Sequence, residues 1–394
     1  EKPRILLNQI AYSKDASKLP LVHRSLLPLL SVLSFIYKVS IWTRSCLYRF
    51  DIFRSHRLPV PVISVGNLTW GGNGKTPMSE FISRFLLSFG VSPLILTRGY
   101  AGGDEANMLK RHLRGKNVKI GVGPNRVATA LHFLNRYGYR IHRDISIDVV
   151  HRRHGQEIGA VVLDDGMQHW SLHRDLEIVM VNGLTPWGNC QLLPLGPLRE
   201  SLSALERADA VVIHHANLAT ESQLNDVEFT LQQVRKPLHI FYTGMFSSHL
   251  FEIGDKHHNI PLDTLKHAIV LCVSGIGCSE AFVQGVKKVG VRFVANLDFC
   301  DHHKYVPLDM TIIRAKLEEL EARFVSQPIV VITEKDYDRD PIMFKHLAPF
   351  RTMVICSELQ FIPGRGHSLD QFESLLNGLW KELGTICRRV RLQK

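Results

Sequence analysis

The sequence predicts an α/β fold built on a mostly parallel sheet, and three features carry this prediction. Short apolar runs rich in β-branched residues recur along the chain and alternate with stretches that favour helices. A glycine-rich segment, residues 66–74, lies between one such run and the start of a helical stretch. Another apolar run ends in the acidic pair Asp164 and Asp165. Strands that are apolar throughout are typical of a parallel sheet covered on both faces.

The predicted elements follow one another in that alternating order. Helices are expected at residues 78–89 and 124–137, after apolar N-terminal helices. The expected strands are residues 61–65, 92–96, 158–163, 176–181, 210–214, 291–297 and 329–332. A second α/β unit is predicted to begin at residue 268.

A length of 394 residues favours two domains. We predict N-terminal membrane-docking helices at residues 1–57, a first α/β/α domain at 58–240 and a hinge at 241–267. Prolines, histidines and short β-like pieces suggest the hinge. A smaller second α/β/α domain is expected at 268–394, including a basic tail.

The composition is that of a folded protein from a reducing compartment. Apolar residues make up 45% of the chain and charged residues 22%. The seven cysteines include no Cys-x-x-Cys pair, which argues against a disulfide framework. No His-Glu-x-x-His motif occurs, so a dedicated zinc site is not predicted.

The N-terminal segment concentrates positive charge beside apolar residues. Residues 1–57 hold ten Lys/Arg and three acidic residues, so they carry +7 of the net charge of +11. The apolar run 26–37 is shorter than the roughly 20 residues that span a bilayer, which favours a helix lying in the membrane interface. The alternative is a core-packing helix with solvated lysines. No nucleic-acid motif accompanies the charge, so nucleic acid is not predicted as a partner. No protein partner is predicted either.

Residues 62–76 have the layout of a strand, a phosphate-binding loop and a helix start, which is the pattern of P-loop NTPases. Glycines let backbone N–H groups turn toward an anion, Lys75 can reach the outer phosphates, and the Thr76 hydroxyl can bind Mg²⁺. Thr69 stands where the strict pattern has glycine; the alternative is a glycine-rich turn of an unrelated protein. The predicted nucleotide-binding residues are Thr69, Trp70, Gly71, Gly72, Asn73, Gly74, Lys75 and Thr76.

A phosphate loop also needs a carboxylate that holds magnesium at the end of a neighbouring strand. Asp164 and Asp165 follow four apolar residues, and either could bind Mg²⁺ directly or through water. Taken alone, they would be interpreted as a strand-end turn. The spacing at 333–336 does not match the guanine-binding Asn-Lys-x-Asp pattern, which favours ATP over GTP.

A phosphotransferase needs a group that orients or deprotonates the acceptor hydroxyl. The residues alone leave two candidates open, Asp104 and the cluster Asp301-His302-His303. They also leave the substrate unnamed. A membrane-docked NTPase switch or chaperone without a lipid acceptor, and an inactive scaffold that keeps the loop, remain alternatives to a kinase.

Several motifs together resemble the tetraacyldisaccharide 4′-kinase family of the lipid A pathway. The resemblance covers roughly residues 60–340 in the family's order, and the degenerate phosphate loop with Thr69 is among its most specific parts. The motifs are Val65–Pro77, Thr97–Tyr100, Gly103–Glu105, Leu163–His169, Gly188–Asn189, Leu192–Glu200, Asp301–His303 and Thr333–Asp336.

The resemblance implies an ATP- and Mg²⁺-dependent membrane-associated kinase. Its substrate would be an acylated glucosamine disaccharide lipid, tetraacyldisaccharide 1-phosphate, phosphorylated on the 4′-hydroxyl to give lipid IVA. Asp104 is implied as the base, with His302 as its partner and His303 a less favoured choice. The implied substrate-binding residues are Asn67, Arg98, Gln168, His169, Arg199 and Glu200.

Some positions depart from the common bacterial pattern. Met167 stands where phenylalanine is usual, and Asp104 follows Arg98 without the longer insert of bacterial members. These changes, with residues 185–188, are similar to plant members, which implies a mitochondrial location. A bacterial member would lie on the cytoplasmic face of the inner membrane.

Overall fold

The protein is described by a computed structural model that covers residues 2–13, 15–99, 103–140, 157–234 and 237–379. Tyr100 of the Thr97–Tyr100 motif and the basic tail lie outside the described residues. The helices are α1 (Lys2–Tyr12), α2 (Leu21–Arg49), α3 (Lys75–Ser88), α4 (Asp104–His112), α5 (Arg126–Tyr137), α6 (Glu221–Gln232), α7 (Ser279–Lys288), α8 (Pro307–Phe324) and α9 (Glu334–Arg339). Residues 369–379 are also helical.

The strands are β1 (Val62–Gly66), β2 (Pro93–Thr97), β3 (Lys119–Val122), β4 (Ala160–Asp164), β5 (Leu176–Asn182), β6 (Ala210–His214), β7 (His239–Glu252), β8 (Asp255–Ile260), β9 (Ile269–Ser274), β10 (Phe293–Asp298), β11 (Ile329–Thr333) and β12 (Thr352–Phe361). They form one sheet in the order β10-β9-β11-β12-β7-β6-β5-β1-β4-β2-β3, with β8 paired to β7. Every pairing is parallel except those of β7 with β12 and β8. The predicted mostly parallel α/β fold is confirmed.

The central strand β1 is buried on both faces, as its apolar sequence predicts. Ile63 and Val65 join the cluster that contains Met78 and Ile82 of α3, whereas Val62 belongs to the cluster on the opposite face. Burying a side chain of this size stabilises the fold by about 1.5–3 kcal/mol relative to exposure. This packing fixes β1 against α3 and therefore fixes the loop between them.

Strand β7 belongs to both halves of the sheet. It pairs in parallel with β6 up to Tyr242 and antiparallel with β12 from Thr243 onward. The change of partner falls at the start of the segment 241–267, for which the sequence predicts a hinge. That segment contains most of β7 and the β7–β8 hairpin. The division into two domains stays a prediction.

Helix α2 is longer than the apolar run that predicts it. It covers 29 residues and continues through Lys38 and Arg44, so it is long and apolar enough to cross a membrane by length and composition. The expectation that the apolar segment is too short to span a bilayer is therefore wrong, because the helix does not end where the uninterrupted run ends. Much of its surface is exposed, including Leu29, Val32, Phe35, Ile36 and Trp42.

Candidate active site

The glycine-rich loop connects the end of β1 to the start of α3. Gly71 and Gly74 have φ of +94° and +77°, a region that L side chains rarely adopt, so glycine suits both positions. Thr69, where the strict motif has glycine, is buried, and its hydroxyl accepts a hydrogen bond of 2.9 Å from the Asn73 side chain. The backbone N–H of Trp70 bonds to the carbonyl of Pro197 at 3.1 Å.

Two neighbouring segments approach this loop closely. A Cβ atom at Gly74 would lie 2.5 Å from Cδ2 of the buried His214 at the end of β6. A Cβ atom at Gly277, after β9, would lie 2.1 Å from the backbone nitrogen of Gly72. The hydroxyl of Tyr12 in α1 donates to the carbonyl of Trp70 at 3.5 Å. The glycine-rich loop thus contacts both halves of the sheet and the N-terminal helix.

The end of β4 brings a carboxylate to the start of α3. Asp164 is buried, and its oxygens accept hydrogen bonds from Thr76 at 3.0 Å and Ser79 at 3.3 Å. Burial, with the negative charge of Glu105, raises the pKa of Asp164 to about 7. A hydroxyl and a carboxylate beside a phosphate loop are hard oxygen ligands of the kind that Mg²⁺ prefers. The residues present therefore fit a magnesium ion that also binds nucleotide phosphates.

Asp165 faces two cationic side chains. Its carboxylate lies 3.6 Å from Nζ of Lys75 and accepts hydrogen bonds of 2.9 and 3.0 Å from the guanidinium of Arg199. Burial would raise the pKa of Asp165, but Lys75 and Arg199 outweigh it and hold that pKa well below the usual range. Asp165 is therefore charged in this arrangement. Among the described residues, no group of three or more His, Cys, Asp or Glu side chains could hold a metal by itself.

The structure brings Asp104 and His302 together from opposite halves of the sheet. Nδ1 of His302 lies 3.0 Å from Oδ2 of Asp104, which is fully buried at the first position of α4. Burial would raise the pKa of Asp104, but His302, Lys335 and Arg339 outweigh it and hold that pKa well below its usual range. His303 instead stacks on Phe299 and bonds to Asp309 at 2.8 Å. Of the two histidines, His302 is the one that faces Asp104.

Helix α9 supplies further charged groups to the same place. Nζ of Lys335 lies 3.2 Å from Glu105 and 3.5 Å from Nε2 of His302. Arg339 donates to Oδ2 of Asp104 at 2.8 and 3.2 Å. Sequence reasoning missed both roles. The strand β11 ends immediately before α9, and its carboxyl edge is the signal that could have directed attention to this helix.

Three of the implied substrate-binding residues, Asn67, Gln168 and Arg199, connect the end of β1 with α2. Asn67 follows β1, accepts from Arg199 through its side chain and accepts from Gln168 through its carbonyl. The carbonyls of Gln168 and Arg199 accept hydrogen bonds from Arg44 and Tyr37 of α2, at 2.9 and 3.0 Å. These bonds connect α2 directly to the loops around the site.

Three other residues of that group have separate surroundings. Burial, together with nearby arginines, lowers the pKa of His169 to about 4, so this ring is neutral at pH 7. Glu200 is buried and pairs with Arg207 at 2.7 Å. Arg98 follows β2 directly and is exposed.

Comparison with known proteins adds an independent observation. A sequence model of the tetraacyldisaccharide-1-P 4′-kinase family matches residues 26–376. The probable mitochondrial tetraacyldisaccharide 4′-kinase of Arabidopsis thaliana is 49% identical over 95% of this chain and 97% of its own length. The chain belongs to the tetraacyldisaccharide 4′-kinase family. The predicted resemblance, and with it the prediction of a kinase, is confirmed.

More distant relatives share the family and the fold. The tetraacyldisaccharide 4′-kinase of Halothermothrix orenii is 34% identical over 80% of this chain and 84% of its own. A crystal structure of the family member LpxK from Aquifex aeolicus in complex with ATP superposes with a TM-score of 0.60. It covers 90% of this chain and 98% of its own at 23% identity, so it shows a common fold.

Proposed function

We propose that this enzyme transfers the γ-phosphate of ATP to the 4′-hydroxyl of tetraacyldisaccharide 1-phosphate, forming lipid IVA and ADP. One observation carries the proposal. The phosphate loop, the Asp164–Asp165 pair and the Asp104–His302 pair meet at one edge of the sheet, although four separate segments supply them. Glu105 links the groups, because its charge acts on Asp164 while its carboxylate contacts Lys335.

In the proposed site, the backbone of residues 69–76 and Lys75 bind the phosphates of ATP. Thr76 and Asp164 would hold Mg²⁺, with Asp165 beside them and ion-paired with Lys75. The ion would supply positive charge that offsets charge on the phosphate oxygens. Asp165 stays ionised beside Lys75 and Arg199. Its carboxylate can therefore orient these two side chains around the same phosphates.

The Asp104–His302 pair would take the proton of the acceptor hydroxyl. As the 4′-oxygen bonds to the γ-phosphorus, the bond from that phosphorus to the β–γ bridging oxygen breaks and ADP leaves. Asp104 alone is a weak base because its pKa is held low. His302, hydrogen-bonded to it, can accept the proton and hold the geometry.

We further propose that α2 places the enzyme on a membrane, where its lipid substrate resides. Exposed apolar residues cover one side of the helix, and Ser34, Tyr37 and Arg44 bond the other side to the protein body. A helix held this way presents its apolar side to lipid while remaining beside the site. The Asn67–Arg199 region between α2 and the phosphate loop would bind the disaccharide. The name of the Arabidopsis relative, which includes the word mitochondrial, supports a location in the mitochondrion.

The test is an assay with ATP, Mg²⁺ and tetraacyldisaccharide 1-phosphate, followed by detection of the phosphorylated lipid. The enzyme should form lipid IVA, and Lys75→Ala should reduce the rate by at least about 10²-fold, because a lost charge contact to the transferring phosphate costs several kcal/mol. Lys110→Ala changes an exposed lysine on α4 and serves as the matched control. ATP hydrolysis without lipid product would instead favour an NTPase switch. Unchanged product formation by Lys75→Ala would reject the proposed phosphate site.

A further inference from the structure

Arg339, the last residue of α9, is a buried arginine with bonds in four directions. Its side chain is 4% exposed, and it donates to Oδ2 of Asp104 from Nε at 3.2 Å and from Nη2 at 2.8 Å. Nη1 donates to the carbonyl of His303 at 3.0 Å and to Asp336 at 2.8 Å. Nη2 also reaches the carbonyl of Gly275 at 3.2 Å. One guanidinium therefore contacts α4, the loop after β9 and the loop after β10.

These contacts reach both Asp104 and the backbone next to His302. The carbonyl of Gly275 accepts not only from Arg339 but also from the backbone N–H of His302, at 3.1 Å. The carbonyl of the next residue, His303, accepts from Arg339 as well. His302 itself has a φ of +59°, a conformation that a non-glycine residue adopts only when its surroundings hold it there. The hydrogen bonds of Arg339 to the carbonyls of Gly275 and His303 contribute to this constraint.

Asp336 helps to hold the side chain of Arg339 in place. It is fully buried and accepts hydrogen bonds from the backbone N–H of Gly275 at 3.0 Å and the hydroxyl of Tyr305 at 3.1 Å, in addition to Arg339. The run Thr333–Asp336, whose spacing is wrong for a guanine contact, thus has another use in this structure. It begins the short helix that orients Arg339 toward Asp104.

We propose that Arg339 is a positioning residue that holds Asp104 and His302 in place relative to each other; this inference rests on the proposed function of that pair. Arginine suits the position because its planar fork serves four carbonyl or carboxylate partners in fixed directions at once. Lysine would keep the charge beside Asp104 but lose the fixed directions toward Gly275 and His303.

The first test compares Arg339→Lys and Arg339→Gln with the unaltered enzyme in the ATP and lipid assay. The turnover number should fall on the order of 10²-fold in Arg339→Gln, as expected for a misplaced reacting group, and by about 10-fold in Arg339→Lys. The KM for ATP should stay within about twofold, because the phosphate loop is not altered. A change in KM with an unaltered turnover number would overturn the proposal.

The matched control is Arg111→Gln. Arg111 also joins α4 to α9, through Glu334 and Asp338, but contacts neither Asp104 nor His302. If Arg339 acts only as a structural tie between the two helices, the two glutamine variants should lose turnover equally, and the proposal fails. Thermal melting of each variant shows whether it is folded. If Arg339→Gln is not folded, the Arg339→Lys result decides.

A double-mutant cycle with Asp104→Asn separates this inference from the proposed function. Because Arg339 acts through Asp104 and His302, adding Arg339→Gln to Asp104→Asn should lower turnover by no more than about threefold. A full additional loss would show that Arg339 acts elsewhere. Normal turnover of Asp104→Asn itself would instead reject the role of Asp104, whatever Arg339 does.

Discussion

The hydroxyl of Thr76 lies 3.0 Å from a carboxylate oxygen of Asp164, although 88 residues separate them in the chain. The contact arises because β1 and β4 are adjacent parallel strands whose carboxyl ends meet at the same edge of the sheet. It joins the helix that follows the glycine-rich loop to the carboxylate at the end of the neighbouring strand. A cation bound by both groups would sit beside the phosphates of a bound nucleotide.

The Thr76 hydroxyl should therefore set the magnesium requirement. Thr76→Val keeps the shape of the side chain but removes the oxygen, and the Mg²⁺ concentration for half-maximal activity should rise about 10-fold or more. Thr76→Ser keeps the hydroxyl and should behave like the unaltered enzyme. Initial rates measured against free Mg²⁺ at saturating ATP give both values. An equal magnesium requirement in all three proteins would remove Thr76 from the metal site.

The two adjacent histidines should differ sharply in their effect on turnover. His302→Ala and Asp104→Ala should each lower turnover by roughly 10²-fold or more, with a modest loss of ATP binding, because general-base assistance is worth about 10²–10⁴-fold. His303→Gln keeps a hydrogen-bond partner for Asp309 and should retain most of the activity. Turnover and ATP affinity measured on the three variants test the assignment. Normal turnover in Asp104→Ala would remove its proposed role.

The sequence could predict the sheet and one side of the site, because both depend on local patterns. Continuous apolar runs predict β1, β4, β5 and β6 to within two residues. The glycines and Lys75-Thr76 predict a phosphate-binding loop before any contact is known. Asp164 follows from the rule that ligands bind at carboxyl ends of parallel strands.

The other side of the site depends on contacts between distant segments that no local pattern encodes. The residues alone leave Asp104 and the cluster Asp301-His302-His303 as competing candidates. Only the pairing of β7 with both halves of the sheet brings Asp104 and His302 together. Arg339 lies in an ordinary polar stretch of sequence, and its burial arises from tertiary packing. The apolar run 26–37 is shorter than α2 because Lys38 interrupts the run without ending the helix.

His112 should make stability depend on pH above neutrality. Its two ring nitrogens lie 2.7 Å from Glu80 and 2.8 Å from Glu334, so it connects α3, α4 and α9. Burial would lower the pKa of His112, but these two carboxylates outweigh it and raise the pKa to about 9. A raised folded-state pKa stabilises the protein fully below the unfolded value near 6.5, and the contribution disappears as the pH rises through about 9.

We therefore expect His112→Gln to lower the free energy of unfolding by on the order of 2 kcal/mol at pH 6 and by much less at pH 10. Denaturant unfolding of both proteins across this range measures the difference. His132→Gln on α5 is a control histidine away from this cluster. A deficit that does not shrink between pH 7 and pH 10 would contradict a charged bridge.

The exposed side of α2 should control recovery with membranes. Val32 and Ile36 are more than half exposed and one turn apart, so Val32→Glu with Ile36→Glu places two charges on the proposed lipid-facing side. Binding to vesicles of anionic phospholipid should fall, and the KM for lipid should rise more than the KM for ATP. Leu308→Glu with Ile312→Glu makes the same change on exposed positions of α8. Equal effects of the two pairs would indicate a general defect.

Removing residues 1–45 tests the same surface more severely. Membrane recovery should fall, and the KM for lipid should rise more than the KM for ATP. The buried Ile10 and Ala11 and the bonds of Asn189 to their carbonyls are lost in this variant, so its thermal melting must be followed in parallel. Equal effects on both KM values would indicate that the segment serves folding alone.

Gly74 should tolerate no side chain, for a reason that can be separated from backbone strain. Its φ of +77° matches the +76° of Gly115, where an added Cβ meets nothing within 4 Å. Alanine at either position costs about 1–2 kcal/mol in backbone conformation. At Gly74 the methyl group would also lie 2.5 Å from the His214 ring, which is buried and bonded to Thr243 at 3.0 Å.

Gly74→Ala should therefore abolish ATP binding measured by calorimetry, whereas Gly115→Ala lowers only the melting temperature. Adding His214→Ala to Gly74→Ala removes the obstructing ring and should restore part of the affinity; no recovery would show that His214 is not the obstacle.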